Sequence, residues 1–216
     1  MELDMKAMKA EMGGAFMLSW VVLTVAMMVD DGTGTMVAGS EWTMALGAAL
    51  TLAVGWLAFE GAHILPVVTW CNIMTGDLSD TEGNWMANGT RLVAQVIGAV
   101  LAVLLSTEAG TLDLPDTAFA TSMSIADIGT EYWATIGMIA AGAVWWQIHT
   151  RCESAWVSAL GMLALAGAMS LTGAHYMGAS IAGGGTEIAN VLVNWITDGL
   201  FVGIGAFVGC KIDDAI

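Results

Sequence analysis

The sequence predicts an all-α membrane protein with six membrane-spanning helices and two re-entrant half-helices. Three observations predict it: a strongly apolar composition, six apolar segments of spanning length, and a short motif that occurs in both halves. Of the 216 residues, 57% are hydrophobic and 12% are charged, and the mean hydropathy is +0.74. Such values are typical of membrane proteins. Because apolar stretches recur along the whole length, we expect residues 1–216 to form a single membrane domain.

The spanning segments follow from the thickness of a bilayer. A hydrocarbon core of about 30 Å requires roughly 20 apolar residues of helix, because backbone amides in lipid must be paired within the segment. Six segments meet this requirement, at about 11–29, 42–59, 89–106, 131–149, 154–171 and 190–210. The stretches Glu60–Gly76 and Thr172–Gly185 are apolar but too short or too glycine-rich to cross. We predict half-helices there.

The basic residues indicate how the chain is oriented, since Lys and Arg are retained on the cytoplasmic side of a membrane. With the N-terminus inside, every basic residue falls on that side: Lys6, Lys9, Arg91, Arg151 and Lys211. The connections on the opposite side carry acidic residues. We therefore expect a multi-pass protein of the plasma membrane with both termini in the cytoplasm.

Charge and residue types exclude several classes of function. The net charge is −15 and the chain has only five Lys and Arg residues, whereas nucleic-acid binding needs clustered bases. The three cysteines are widely spaced, which predicts neither disulfides nor a metal site. No Ser-His-Asp spacing or pair of flanking carboxylates is present. We expect no catalytic residues, no metal and no cofactor, and the partner of the apolar surface to be the lipid bilayer.

A short motif occurs at equivalent points of two halves, at about 1–107 and 128–216. Gly61-Ala62-His63-Ile64-Leu65-Pro66-Val67 is matched by Gly173-Ala174-His175-Tyr176-Met177-Gly178-Ala179. Each copy follows the second predicted helix of its half and precedes the third. Three spans per half is an odd number, so the second half must be inverted in the membrane. Half-helices from opposite faces then end near the midplane, where exposed backbone has to line a cavity. We predict a pore between the halves.

These motifs resemble those of the major intrinsic protein family, the aquaporins and aquaglyceroporins. The family pattern Ser-Gly-Ala-His-x-Asn-Pro-Ala-Val-Thr is similar to Glu60–Thr69, and the family's Ala-Gln-x-x-Gly-Ala is similar to Ala94–Ala99. Two further pairs complete the likeness: Glu11 and Glu131 match the family's paired buried glutamates, and Gly199 and Gly203 match glycines of its sixth helix. The resemblance covers nearly the whole chain.

The resemblance implies a passive channel for a small permeant, with one pore in each subunit of a homotetramer. It implies a pore centre at Leu65, Pro66, Val67, Met177, Gly178 and Ala179, and a selectivity filter at Ala45, Leu165, Ala174 and Ser180. It assigns pore-lining or loop-orienting positions to Gly61, Ala62, His63, Gly173 and His175. Glu11 and Glu131 would be structural buried acids that accept backbone amides of the pore loops.

The sequence departs from the family at the positions that face the permeant. Leu65 and Met177 replace the two capping asparagines, and Ser180 replaces the filter arginine. An apolar constriction offers no hydrogen bond to water, so it predicts a hydrophobic gate or a preference for weakly hydrated solutes. Water, glycerol, ammonia and dissolved gases are the candidate permeants. A cation-conducting channel on the same fold and a non-conducting structural homologue are the alternatives.

Four polar residues have either two open interpretations or no assigned role. His63 and His175 either relay protons or gate the pore with pH, or they orient the half-helix loops. Glu60 either attracts cations or caps the first half-helix. Asp198 lies within the sixth apolar segment, and the sequence suggests no role for it.

Overall fold

The computed structural model describes residues 4–28, 40–108, 132–165, 174–183 and 188–215, and within these ranges its regular secondary structure is helical, without a β-strand. The described residues form eight α-helices, which are α1 (Met5–Met28), α2 (Ser40–Ala58), α3 (Pro66–Thr75), α4 (Ala87–Glu108), α5 (Tyr132–Arg151), α6 (Ala155–Leu165), α7 (Ala174–Ala182) and α8 (Ile188–Asp213). A π-helical turn, Thr81–Met86, leads directly into α4.

The six long predicted segments each overlap one helix, and the two predicted half-helices contain the short helices α3 and α7. The predicted segment 154–171 extends beyond the described part of α6. By length and composition, Thr81–Glu108 and Val191–Asp213 qualify as membrane spans. The all-helical fold class is therefore confirmed, while six crossings and an inverted repeat stay predictions.

The first helix begins earlier than hydropathy predicted. It begins at Met5 rather than near residue 11, and the Asp4 carboxylate accepts the amide N–H groups of Lys6 and Ala7 at 3.0 Å each. An aspartate is a favourable N-cap, and lysine is a good helix former. The bond from Ala7 lowers the pKa of Asp4. Hydropathy detects only the apolar part of such a helix.

Glycines allow the long helices to pack closely in pairs, α1 with α4 and α5 with α8. A Cβ atom at Gly98 would overlap the carbonyl oxygen of Met12, and one at Gly142 would overlap that of Val202. Small residues at such crossings are typical of membrane helices, because they let two backbones come into contact.

The short helices each pack on a long helix from the other half of the chain. Helix α3 lies against α8, where Gly199 and Gly203 contact Trp70, and α7 lies against α4, where Gly178 meets Ala99. Helix α2 also packs on α6, and the contact between α1 and α2 has its counterpart in the contact between α5 and α6. These contacts stay the same when α1–α4 and α5–α8 are exchanged, as a duplicated unit requires.

The crossing of α1 and α4 leads to a stability prediction. Gly98→Ala places a methyl group against a backbone carbonyl that cannot move without shifting α1, so we expect it to destabilise the fold by about 1–3 kcal/mol. Thermal unfolding in detergent, followed by tryptophan fluorescence, measures the change.

Gly89→Ala is the matched control on the same helix, because nothing lies within 4 Å of a Cβ atom at Gly89. It should be neutral or slightly stabilising, since alanine favours helix over glycine by about 0.5–1 kcal/mol. Equal unfolding temperatures for the two variants would contradict the proposed close contact.

Candidate functional site

The segment between α2 and α3 has an unusual backbone. Gly61 has φ 78° and Ile64 has φ 66°. The left-handed conformation is ordinary for glycine but costs a β-branched residue about 1–3 kcal/mol, so the surroundings must impose it. The Ile64 side chain is 1% exposed. It fits where Gly14 and Gly55 leave room, since a Cβ atom at either glycine would come within 2.8 Å of it.

The carboxylate of Glu11 fixes this backbone. Glu11 is completely buried in α1, and its Oε1 and Oε2 accept the amide N–H groups of His63 at 2.6 Å and Ile64 at 2.8 Å. From α4, Arg91 Nη1 donates to Oε1 at 2.7 Å and Gln95 Nε2 donates to Oε2 at 2.8 Å. Four donors, one of them cationic, compensate the desolvation of the buried charge. The carboxylate therefore sets the path of the chain just before α3.

The same network reaches both sides of the loop. Arg91 Nη1 also donates to the Gly61 carbonyl at 2.8 Å, and Gln95 Nε2 donates to Thr69 Oγ1 at 3.0 Å. The His63 Nδ1 atom lies 3.0 Å from the same Thr69 oxygen. Because the His63 ring contacts Thr69 in the first turn of α3, the structure favours the interpretation that His63 orients the loop over its interpretation as a proton relay.

Helix α3 begins with apolar side chains. Leu65 is its N-cap residue and makes no side-chain capping bond, and Pro66 follows at the first helical position. Proline suits that position because the first amide of a helix has no intrahelical partner. Leu65 is 7% exposed and packs in a cluster with Leu18, Leu52 and Met162. The positive end of the helix dipole thus faces apolar groups.

The second motif lies in α7 and has different surroundings. Met177 is 6% exposed and packs with Ile73, Leu92 and Trp195, a cluster separate from that of Leu65. A joint Leu65–Met177 constriction therefore stays a prediction. Also in the motif, Gly178 and Ala179 are buried, and Ser180, which follows it, is half-buried.

Of the predicted filter residues, Ala174 is buried at the beginning of α7, while Ala45 on α2 and Leu165 at the end of α6 are half-buried. In the first motif, Ala62 and Val67 are buried. Gly173, Glu131 and the side chain of His175 lie outside the described residues. Within the described ranges, no group of three or more His, Cys, Asp or Glu side chains could hold a metal ion.

Two sets of contacts were not predicted from the sequence. Arg91 was used only to orient the chain, although it stands one helical turn before Gln95 and so shares its face of α4. Asn84, in the π-turn, donates from Nδ2 to the carbonyls of Ile73 at 2.9 Å and Asp77 at 3.0 Å. Its side chain is thereby bound to the C-terminal end of α3. An asparagine in a polar connection carries no sequence signal for that contact.

The network predicts that Glu11 cannot be replaced by its amide. Glu11→Gln has one carbonyl oxygen for four donors and removes the charge opposite Arg91, so we expect a loss of stability of about 3–5 kcal/mol. The unfolding temperature in detergent measures it. Glu60→Gln makes the same chemical change at an exposed site of the same loop and should stay within about 0.5 kcal/mol of the wild type. Similar losses for both variants would contradict the role of Glu11.

Comparison with known proteins places this geometry in a fold. No protein-family profile and no curated protein sequence matches the chain. The X-ray structure of the aquaglyceroporin from Plasmodium falciparum superimposes on it with a TM-score of 0.65, covering 98% of this chain and 96% of that one, at 16% sequence identity. The resemblance seen in the motifs is thus confirmed at the level of the fold, and the chain has the fold of an aquaglyceroporin.

Proposed function

We propose that this protein is a membrane channel for the passive transport of water or small neutral solutes, with glycerol, ammonia and gases as candidates. One observation carries the proposal: the beginning of α3, buried and apolar at Leu65, is held by the Glu11 carboxylate. In a bilayer, a helix end and irregular backbone are tolerated only where they are enclosed by protein or line a cavity.

The contacts between helices support the membrane arrangement that we propose. Helices α1, α2, α4, α5, α6 and α8 would cross the plasma membrane, with the second half inverted and both termini cytoplasmic. The packing of α3 on α8 and of α7 on α4 is what two half-helices entering from opposite faces require. Along α2, exposed apolar side chains recur at helical spacing: Leu46, Leu50, Val54 and Leu57. They suit contact with lipid or with other copies in a homotetramer.

The residues at the proposed pore would select by size and hydration rather than by charge. Leu65 and Met177 offer no hydrogen bond, and Ser180 stands where the family resemblance implies an arginine. A solute that passes such side chains must lose its hydrating water without gaining hydrogen bonds to the protein. Weakly hydrated, neutral solutes are favoured, and the filter formed by Ala45, Leu165 and Ala174 would be small and apolar.

Substitution of Leu65 tests this function. Leu65→Asn provides an amide that can cap α3 and offer hydrogen bonds to passing water, so we expect the water permeability of proteoliposomes to rise several-fold in stopped-flow swelling. Leu78→Asn makes the same change in the exposed connection after α3 and should have no effect. Folded wild-type and Leu65→Asn proteins that both behave like empty liposomes for water, glycerol and ammonia would refute the channel.

A non-conducting homologue is the second candidate, favoured by the packing of Leu65 in a cluster of buried apolar residues. In that case the wild type is impermeable, and the double variant Leu65→Asn, Met177→Asn gains water permeability. A cation-conducting channel would instead give single-channel currents in planar bilayers, which neither a neutral-solute channel nor a plug produces.

A further inference from the structure

Four aromatic rings pack together at one end of the helix bundle. This inner aromatic cluster consists of Trp56 from α2 and of Trp145, Trp146 and His149 from α5. The His149 ring centroid lies 4.8 Å from that of Trp145, with nearly parallel planes, and 5.4 Å and 5.3 Å from those of Trp56 and Trp146. The imidazole is thus in contact with three indoles, at distances typical of aromatic packing.

Hydrogen bonds fix these rings to neighbouring backbone. Trp145 Nε1 donates to the carbonyl of Ser158 at 3.1 Å, and His149 Nδ1 lies 2.5 Å from Ser158 Oγ. Trp56 Nε1 donates to the carbonyl of His63 at 3.2 Å. The N–H groups of Trp56 and Trp145 are therefore occupied by protein acceptors. These two indoles can present only their ring faces and C–H edges to a solute.

The cluster lies beside the loop that precedes α3. Trp56 stands two residues before the end of α2 at Ala58, and its partner His63 is two residues before Leu65. Trp145 and Trp146 belong to the same packed apolar cluster as Leu65. Trp145 is fully buried, whereas Trp56 and His149 are half-buried. The latter two rings are the ones that border accessible space at this end.

We infer that the inner aromatic cluster is a second constriction, in series with Leu65, that rejects polyols of glycerol size and passes smaller, weakly hydrated solutes. The inference rests on the proposed channel function and narrows its substrate class. A polyol needs hydrogen-bond partners for each hydroxyl when it leaves water. The Trp56 indole, whose N–H group already binds a backbone carbonyl, cannot supply them, while a dissolved gas makes few hydrogen bonds to water and loses little hydration there.

The test compares glycerol and water permeability of proteoliposomes containing the full chain. Trp56→Ala and His149→Ala should each raise the glycerol-to-water permeability ratio at least several-fold. His149→Phe, which keeps a ring of similar size, should retain the wild-type ratio. Trp156→Ala removes an indole that is 43% exposed on α6 and should also leave the ratio unchanged. Trp56→Ala also removes the bond to the His63 carbonyl, so His149→Ala is a second test that leaves this bond intact.

The outcomes separate this inference from the proposed function. An unchanged ratio in both alanine variants, with Leu65→Asn still raising water permeability, overturns the second constriction and leaves the channel standing. A ratio raised equally by Trp156→Ala also overturns it, because a general loosening of the fold would then explain the effect. If all variants, including Leu65→Asn, are impermeable to both solutes, the channel itself fails and the inference fails with it.

Discussion

The position of α3 depends on one buried carboxylate. The positions of the groups that contact the N-terminal end of this helix depend on it as well. Glu11 binds two successive amides of the loop and is itself held by Arg91 and Gln95. A ten-residue helix is too short to be stable by itself in isolation. Its place is therefore set by tertiary contacts, and Glu11 is the group where contacts from α1, α4 and the loop converge. The left-handed backbone of Ile64 persists because its own amide is one of those four donors.

The other end of α3 is held as well, which limits motion along its axis. Asn84 binds the Ile73 carbonyl, and Asn88 Nδ2 donates to Asn84 Oδ1 at 3.0 Å. The last carbonyls of a helix lack intrahelical partners, so an asparagine side chain can both satisfy and locate them. Because Asn84 sits in the π-turn that continues into α4, the same helix that carries Arg91 and Gln95 fixes both ends of α3. A change in α4 should thus reach both ends of α3 together.

The sequence predicts the helices well because each apolar segment of spanning length has only one way to pair its backbone in a bilayer. Pro66 likewise marks the beginning of α3. The beginning of α1 was missed because Asp4, Lys6 and Lys9 add a polar turn that hydropathy does not detect. Arg91 and Glu11 are 80 residues apart in sequence, and no local pattern indicates that they meet. The contacts of the inner aromatic cluster were missed for the same reason, since Trp56 on α2 and His149 on α5 lie far apart in sequence.

In the loop before α3 and its surroundings, polar and apolar side chains have different roles. Around the loop, four polar side chains form hydrogen bonds to one another or to the backbone: Glu11, Arg91, Gln95 and Thr69. Such bonds are strong where water is excluded, and a buried group that is already satisfied gains nothing by binding a solute. In the proposed channel, the groups left to meet a permeant would then include Leu65 and the ring faces beside it. In the channel that we propose, the polar network would provide rigidity, and selectivity would arise because the apolar surface cannot replace the hydration that a solute loses.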